Sequence, residues 1–151
     1  VTPAALPELI ALQRELRPAL DASLDVVHPL EAELRGIYGV IFWEPLHPLD
    51  GGLAQRNVTV FADGEVDRSP CGSGTSARLA ILHARGEIAV DAPFHHRSIV
   101  DSAFEARVTA VTDVAGRPAV VTEVSGSAYR TGEHRFTLDE RDPVGTGFLL
   151  R

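Results

Sequence analysis

The stretch Asp67-Arg68-Ser69-Pro70-Cys71-Gly72-Ser73-Gly74-Thr75-Ser76-Ala77 decides the fold of this chain. It leads from a strand-like segment, Asn57 to Phe61, and a turn, Ala62-Asp63-Gly64, into an apolar helix over Ser76 to Arg85 that Gly86 closes. Ala77, Leu79, Ala80, Ile81, Leu82 and Ala84 surround most of that helix, so it is expected to be buried. The only cysteine of the chain therefore stands between a strand and the start of a buried helix. Two glycines in three residues let the backbone approach a ligand closely, and helix-start N–H groups lack an intrahelical acceptor. With the positive end of the helix dipole, such a nest suits a carboxylate or a phosphate. The same field favours a thiolate, which would make Cys71 a better base or nucleophile than a free thiol. The plainer alternatives are an inert, buried cysteine and an ordinary Gly-Ser-Gly-Thr turn. A Walker A loop is excluded, because no lysine follows the glycines.

Upstream, residues 1–35 are expected to be helical, with Leu6, Leu9, Ile10, Leu16 and Leu20 at helical spacing. Pro7 suits a first turn, Pro18 predicts a kink or an early stop, and a second short helix is expected over Leu30 to Leu34. From Gly36 the pattern turns to strands: Ile37 to Trp43, then a Pro/Gly loop, then Asn57 to Phe61. Downstream of the helix, Glu87 to Ala92, Ile99 to Asp113, Ala119 to Ser125 and His134 to Leu138 are predicted strands, with Gly116-Arg117-Pro118 as a hairpin loop. The expected architecture is a single α+β lobe over residues 1–151, in which a sheet wraps one buried helix.

Composition limits the partners. With 151 residues and 44% apolar content the chain has one domain's worth of core. No apolar run reaches membrane-spanning length and no signal peptide is visible, so neither a membrane nor secretion is expected. One cysteine makes no internal disulfide, which favours a reducing, cytoplasmic setting. There are 21 acidic and 14 basic residues, for a net charge of -7, and no basic stripe, so no nucleic-acid partner is expected. Every basic residue is arginine, so no lysine is present for Schiff-base or proton-transfer chemistry. There is no methionine, even at position 1, so the chain is expected to be a piece of something longer.

The Asp67–Thr75 stretch resembles the second catalytic-cysteine motif of the proline racemase and hydroxyproline epimerase family. Further pieces agree: Gly39-Val40-Ile41-Phe42 and Arg56-Asn57-Val58 before it, and Ser98-Ile99-Val100-Asp101-Ser102, Phe104, Gly126-Ser127-Ala128, Thr131-Gly132 and Asp142-Pro143 through Gly147-Phe148 after it. The resemblance implies one lobe of a two-lobed proline racemase (diaminopimelate epimerase-like) fold, the C-terminal one. It implies a pyridoxal-independent amino-acid isomerase that needs no cofactor, acting on proline or hydroxyproline. In that family one cysteine, as thiolate, removes the α-proton while a second, as thiol, returns one from the opposite face. By motif position Cys71 is one of the two. Gly72 and Ser73 would offer backbone N–H groups to the substrate carboxylate, and Asp67 would help hold its ring ammonium. A plain turn or cap role is the alternative for Asp67.

The family's chains are about twice this long and carry the other cysteine in a Met-Cys-Gly-His-type motif that is absent here. The resemblance therefore implies a missing N-terminal lobe as partner, leaves a homodimer open, and predicts that this fragment is inactive alone. Family members that dehydrate trans-3-hydroxy-L-proline typically carry threonine where this chain has Cys71, which ranks that activity second. Two readings of other classes compete: a non-catalytic lobe that binds an anion or a partner, and a Cys-His acyl-transfer enzyme. The latter would need His83 or His96 to reach Cys71. His28, His47 and His83 are otherwise expected to be packing or surface residues; His95 and His96 point to opposite faces of a strand and no carboxylate or cysteine spacing completes a zinc site, so no metal is expected.

Overall fold

The computed structural model describes residues 1–147, so Phe148 of the family-like C-terminal stretch lies outside the described residues. After a 3-10 turn at Pro3–Ala5, helix α1 (Leu6–Ser23) precedes strands β1 (Gly39–Pro45), β2 (Leu53–Phe61) and β3 (Glu65–Val66). Helix α2 (Gly72–Ala84) follows, then β4 (Phe94–Ser98), β5 (Ala103–Val114) and β6 (Arg117–Gly126). The strands form one six-stranded mixed sheet in the order β1-β2-β4-β5-β6. Only β2 and β4 run parallel, and β3 continues along the same edge of β2 beyond β4. The parallel pair is what the α2 crossover makes necessary.

Alternation along β2 assigns the two helices to opposite faces of the sheet. Val58 and Val60 point to α1, where they pack with Leu6, Leu9, Ile10 and Phe42. Gln55 and Asn57 point the other way, towards α2. The second core lies on that side and joins Leu79 and Leu82 of α2 to Ile88, Phe94, Ala106 and Val108. Burying each such side chain contributes roughly 1.5–3 kcal/mol. The α2 face of β2 is thus apolar at the helix's C-terminal end and polar beneath its N-terminal turn.

Several sequence expectations need correction. Helix α2 begins at Gly72 instead of Ser76, and it buries one face only: Ala77 and Ile81 on its outer flank are exposed. Helix α1 runs through Pro18 to Ser23; Pro18 is exposed, where water can take the carbonyl it leaves unpaired. The expected helix at Leu30–Leu34 is a turn. His28 Nδ1 accepts the N–H groups of Leu30 and Glu31, and a Val27–Arg35 bridge closes the loop. Five residues are too few to nucleate a helix against that competition.

Residues 87–92 form a loop whose Ile88 plugs the core, and the strand of this region is β4, which carries His95 and His96. The segment 99–102 is a turn, so the long strand starts at Ala103. The hairpin turns on Ala115 and Gly116 alone, both at positive φ, with Val114 opposite Arg117. That is the two-residue primed-turn geometry, and it puts Pro118 in an edge strand, where a missing N–H is tolerated. His134–Leu138 is not a strand: it pairs with no neighbour, and Phe136 and Leu138 are exposed. Residue propensity alone does not make a strand; pairing with a neighbour does.

Candidate active site

Cys71 is the residue from which α2 starts. Its backbone stands at φ 64°, left-handed for an L-residue, which costs about 1–2 kcal/mol. Its sulfur takes the place of the usual capping oxygen and accepts the Gly74 N–H at 3.4 Å, with the Ser73 hydroxyl at 3.5 Å. The residue is 8% exposed. Two turns built by short side chains deliver it: Asp67 Oδ1 accepts the Ser69 N–H at 2.8 Å, and Ser69 Oγ accepts the Cys71 N–H at 3.0 Å. From the far side, Ser102 Oγ donates to the Arg68 carbonyl at 2.7 Å and meets Ser98 Oγ at 2.7 Å. The family-like Ser98–Ser102 segment thereby clamps the cysteine loop to the end of β4.

The two glycines of the motif have different surroundings. A Cβ on Gly74 would meet the end of the Ile41 side chain, which would have to shift, and would stand 3.2 Å from the Cys71 sulfur, so this part of the helix packs tightly against β1 and the cysteine. A Cβ on Gly72 would meet nothing within 4 Å. Gly72 and Ser73 are exposed, and as the first two residues of α2 their N–H groups have no intrahelical acceptor. Asp67 is partly buried with Oδ1 engaged by the turn. The structure therefore brings Asp67, Cys71, Gly72 and Ser73 into one loop and helix start.

Beneath that start lies a buried polar chain that the sequence reading did not find. His96 is fully buried on β4, opposite in facing to His95, as expected of neighbours on a strand. Its Nε2 stands 2.8 Å from Asn57 Nδ2 and its Nδ1 2.9 Å from Thr75 Oγ1. Thr75 Oγ1 in turn donates to the Pro70 carbonyl at 3.3 Å. Burial, with a smaller contribution from the nearby Arg78 guanidinium, pushes the His96 pKa down to about 4, so the ring is neutral. The one available signal was β-strand alternation, which puts His96 on the same side as Asn57 only once the β2–β4 register is known. Neither candidate for a Cys-His pair reaches the sulfur. His96 is committed to Thr75 and Asn57, and His83 Nδ1 faces the Ile88 carbonyl at 3.1 Å.

On the outer flank of α2, Ile41, Trp43, Gly74, Ala77, Arg78, Ile81 and His96 line a recess of about 170 Å³. Arg78 is buried there, its Nε donating to Gln55 Oε1 at 2.9 Å and its guanidinium stacked on Trp43. Among the described residues no carboxylate lies within ion-pair distance of it.

The model of the proline racemase family matches residues 1–149. The chain belongs to the proline racemase family. Within it, the chain is 48% identical over 136 residues to a trans-3-hydroxy-L-proline dehydratase of Bacillus cereus, covering 90% of this chain and 40% of that protein. It is 40% identical over 152 residues to a proline racemase of Clostridioides difficile, covering 100% of this chain and 44% of that one. The crystal structure of a hydroxyproline epimerase from Agrobacterium vitis, with bound trans-4-hydroxy-L-proline, superposes with a TM-score of 0.84 at 38% identity. That match covers 99% of this chain and 42% of the epimerase. The chain thus spans less than half the length of the family members it matches. The α+β fold with an open mixed sheet is the family's. Among the described residues no helix is long and apolar enough to cross a membrane.

Proposed function

We propose that this chain supplies one half of the active site of a cofactor-independent proline racemase or 4-hydroxyproline 2-epimerase, with Cys71 as one of its two proton-transfer groups. The observation that carries this reading is the capped sulfur: Cys71 Sγ sits at the start of α2, held by the Gly74 N–H, beside two helix-start N–H groups on an open surface. A substrate carboxylate bound by the Gly72 and Ser73 N–H groups would bring its Cα next to the sulfur. Those donors strengthen as negative charge grows on the carboxylate during α-proton removal, which lowers the barrier. Cys71 as thiolate takes the proton on one face, or as thiol returns one. Asp67 Oδ1 is spent on the turn, leaving Oδ2 for the ring ammonium, whose positive charge makes the α-proton more acidic. The second cysteine would come from the portion of the family fold that this chain does not span, so the chain alone is inactive.

Dehydration of trans-3-hydroxy-L-proline is the second reading, favoured by the 48% identity to the Bacillus cereus enzyme. Cys71 weighs against it, because a thiol at this place suits proton return to Cα.

The test is α-proton exchange in D2O. L-proline, trans-4-hydroxy-L-proline and trans-3-hydroxy-L-proline are incubated with this chain and with the longer protein containing it, and followed by NMR and polarimetry. Exchange with inversion of one of the first two by the longer protein alone, lost in its Cys71→Ser variant, is the expected result. Loss of the 3-hydroxyl with no inversion would transfer the assignment to the dehydratase. Undiminished turnover in Cys71→Ser would remove Cys71 from the chemistry.

A further inference from the structure

We propose that His96 is the positioning residue of the Cys71 loop, acting through Thr75 on the Pro70 carbonyl; the proposal rests on the reading of Cys71 as the reacting thiol. The left-handed backbone of Cys71 persists only if its surroundings over-determine it. Downstream, the Thr75 N–H binds the Cys71 carbonyl at 2.8 Å, and the Gly74 N–H binds the sulfur. Upstream stands Pro70, fully buried and without an N–H. Its carbonyl is its one polar group, and Thr75 Oγ1 is the donor that satisfies it.

A hydroxyl has a single proton, so Thr75 can donate to Pro70 only if its other partner donates to it. That partner is His96 Nδ1, and the rest of the chain decides whether Nδ1 carries the proton. Asn57 Nδ2 lies 3.3 Å from the Arg97 carbonyl, which can only accept, so the NH2 group of the amide is on that side. The same nitrogen faces His96 Nε2, which must therefore accept. The neutral ring then bears its proton on Nδ1 and donates to Thr75 Oγ1. One directed chain, Asn57 to His96 to Thr75 to Pro70, thus ties β2, β4 and α2 to the residue before the cysteine. With the other tautomer the Thr75 proton would turn to His96, and a buried carbonyl next to Cys71 would lose its donor, which a folded interior tolerates poorly. His96 does not touch the sulfur; it determines where the loop holds it.

The experiment combines a spectroscopic signature with a rescue series on this chain. The 15N resonances of His96 at pH 7 are expected to show a neutral ring protonated on Nδ1. The alkylation rate of Cys71, the only thiol, is compared in Thr75→Val, Thr75→Ser and His96→Phe, with the amide resonances of Cys71 and Gly74 reporting the loop. Thr75→Val should change the rate about tenfold, the effect of one lost buried hydrogen bond, and shift both amides, while Thr75→Ser stays within about twofold of the parent. A proton on Nε2 would overturn the proposal, as would Thr75→Val and His96→Phe proteins that fold, alkylate and resonate like the parent. A parent thiol no faster than that of an unstructured peptide would count against the Cys71 reading instead, and the amide shifts would still judge the positioning.

Discussion

The Arg78 guanidinium lies 3.8 Å from the centre of the Trp43 ring and joins the outer flank of α2 to the first strand. Arg78 is buried without a carboxylate partner in reach among the described residues, so the ring face and Gln55 carry much of its compensation. Lysine offers neither the planar stack nor the Nε donor. Arg78→Lys should lower the stability by about 1 kcal/mol. Urea unfolding followed by Trp43, the chain's only tryptophan, measures this directly; an unchanged midpoint would show that the stack contributes nothing.

Gly72 and Gly74 should respond in opposite directions to the same substitution. Alanine at Gly72 meets open space and gains helix propensity, so stability should hold or rise by up to about 1 kcal/mol. Alanine at Gly74 collides with Ile41 Cδ1, and overpacking of about 1–3 kcal/mol outweighs that gain. Ile41→Val in the Gly74→Ala background removes the colliding methyl and should restore most of the loss. Thermal denaturation of the single and double variants closes the cycle.

His96 makes the fold acid-sensitive. Its pKa in the folded chain is about 4, against 6.5 for an ordinary histidine. Above pH 6.5 the ring is neutral whether the chain is folded or not, and it has no effect. Between 6.5 and 4 the unfolded chain takes up a proton that the folded chain refuses, so stability falls as pH falls. The full loss is about 3 kcal/mol. The groups that face the ring are Asn57, Thr75 and Phe94, with the Arg78 guanidinium as the nearby charge, and none of these changes charge in this range. Denaturant titrations at pH 7, 5.5 and 4.5 should show a steeper decline for the parent than for His96→Gln; parallel curves would contradict this account.

The β5–β6 hairpin turns on Ala115 at φ 52° and Gly116 at φ 78°. Alanine tolerates the first of these poorly, whereas asparagine occupies it readily in an Asn-Gly primed turn. Ala115→Asn should raise the melting temperature by a few degrees, about 0.5–1 kcal/mol, without touching the cysteine loop. A lower melting temperature would mean that the turn is not held in this form.

The local arrangement of one short segment was legible in the sequence. Cys71, Gly72, Ser73 and Asp67 lie within seven residues, so turn rules and helix-start rules reach all of them, and the structure brings them to one helix start. Strand alternation likewise separated His95 from His96. Failures came where a partner element decides. His134–Leu138 has strand-like residues but pairs with no neighbouring strand, and Glu87–Ala92 is held as a loop by the docking of Ile88 into the core. The missed start of α2 has a different cause: Gly72 and Gly74 are poor helix formers, and the turn forms there because the sulfur caps it.

The sequence by itself determined the family, the α+β class and the strand–loop–helix unit around Cys71, because each rests on interactions within a few residues of one another. Only the tertiary structure decided which residues stand behind that unit. Asn57, Thr75 and His96 are separated by 18 and 21 positions in the chain, and none is distinctive in its own surroundings. They meet because a parallel β2–β4 register and a helix start fold onto one point. There burial makes a partner within the protein valuable to each donor and acceptor, and the proton on one imidazole nitrogen becomes a structural choice.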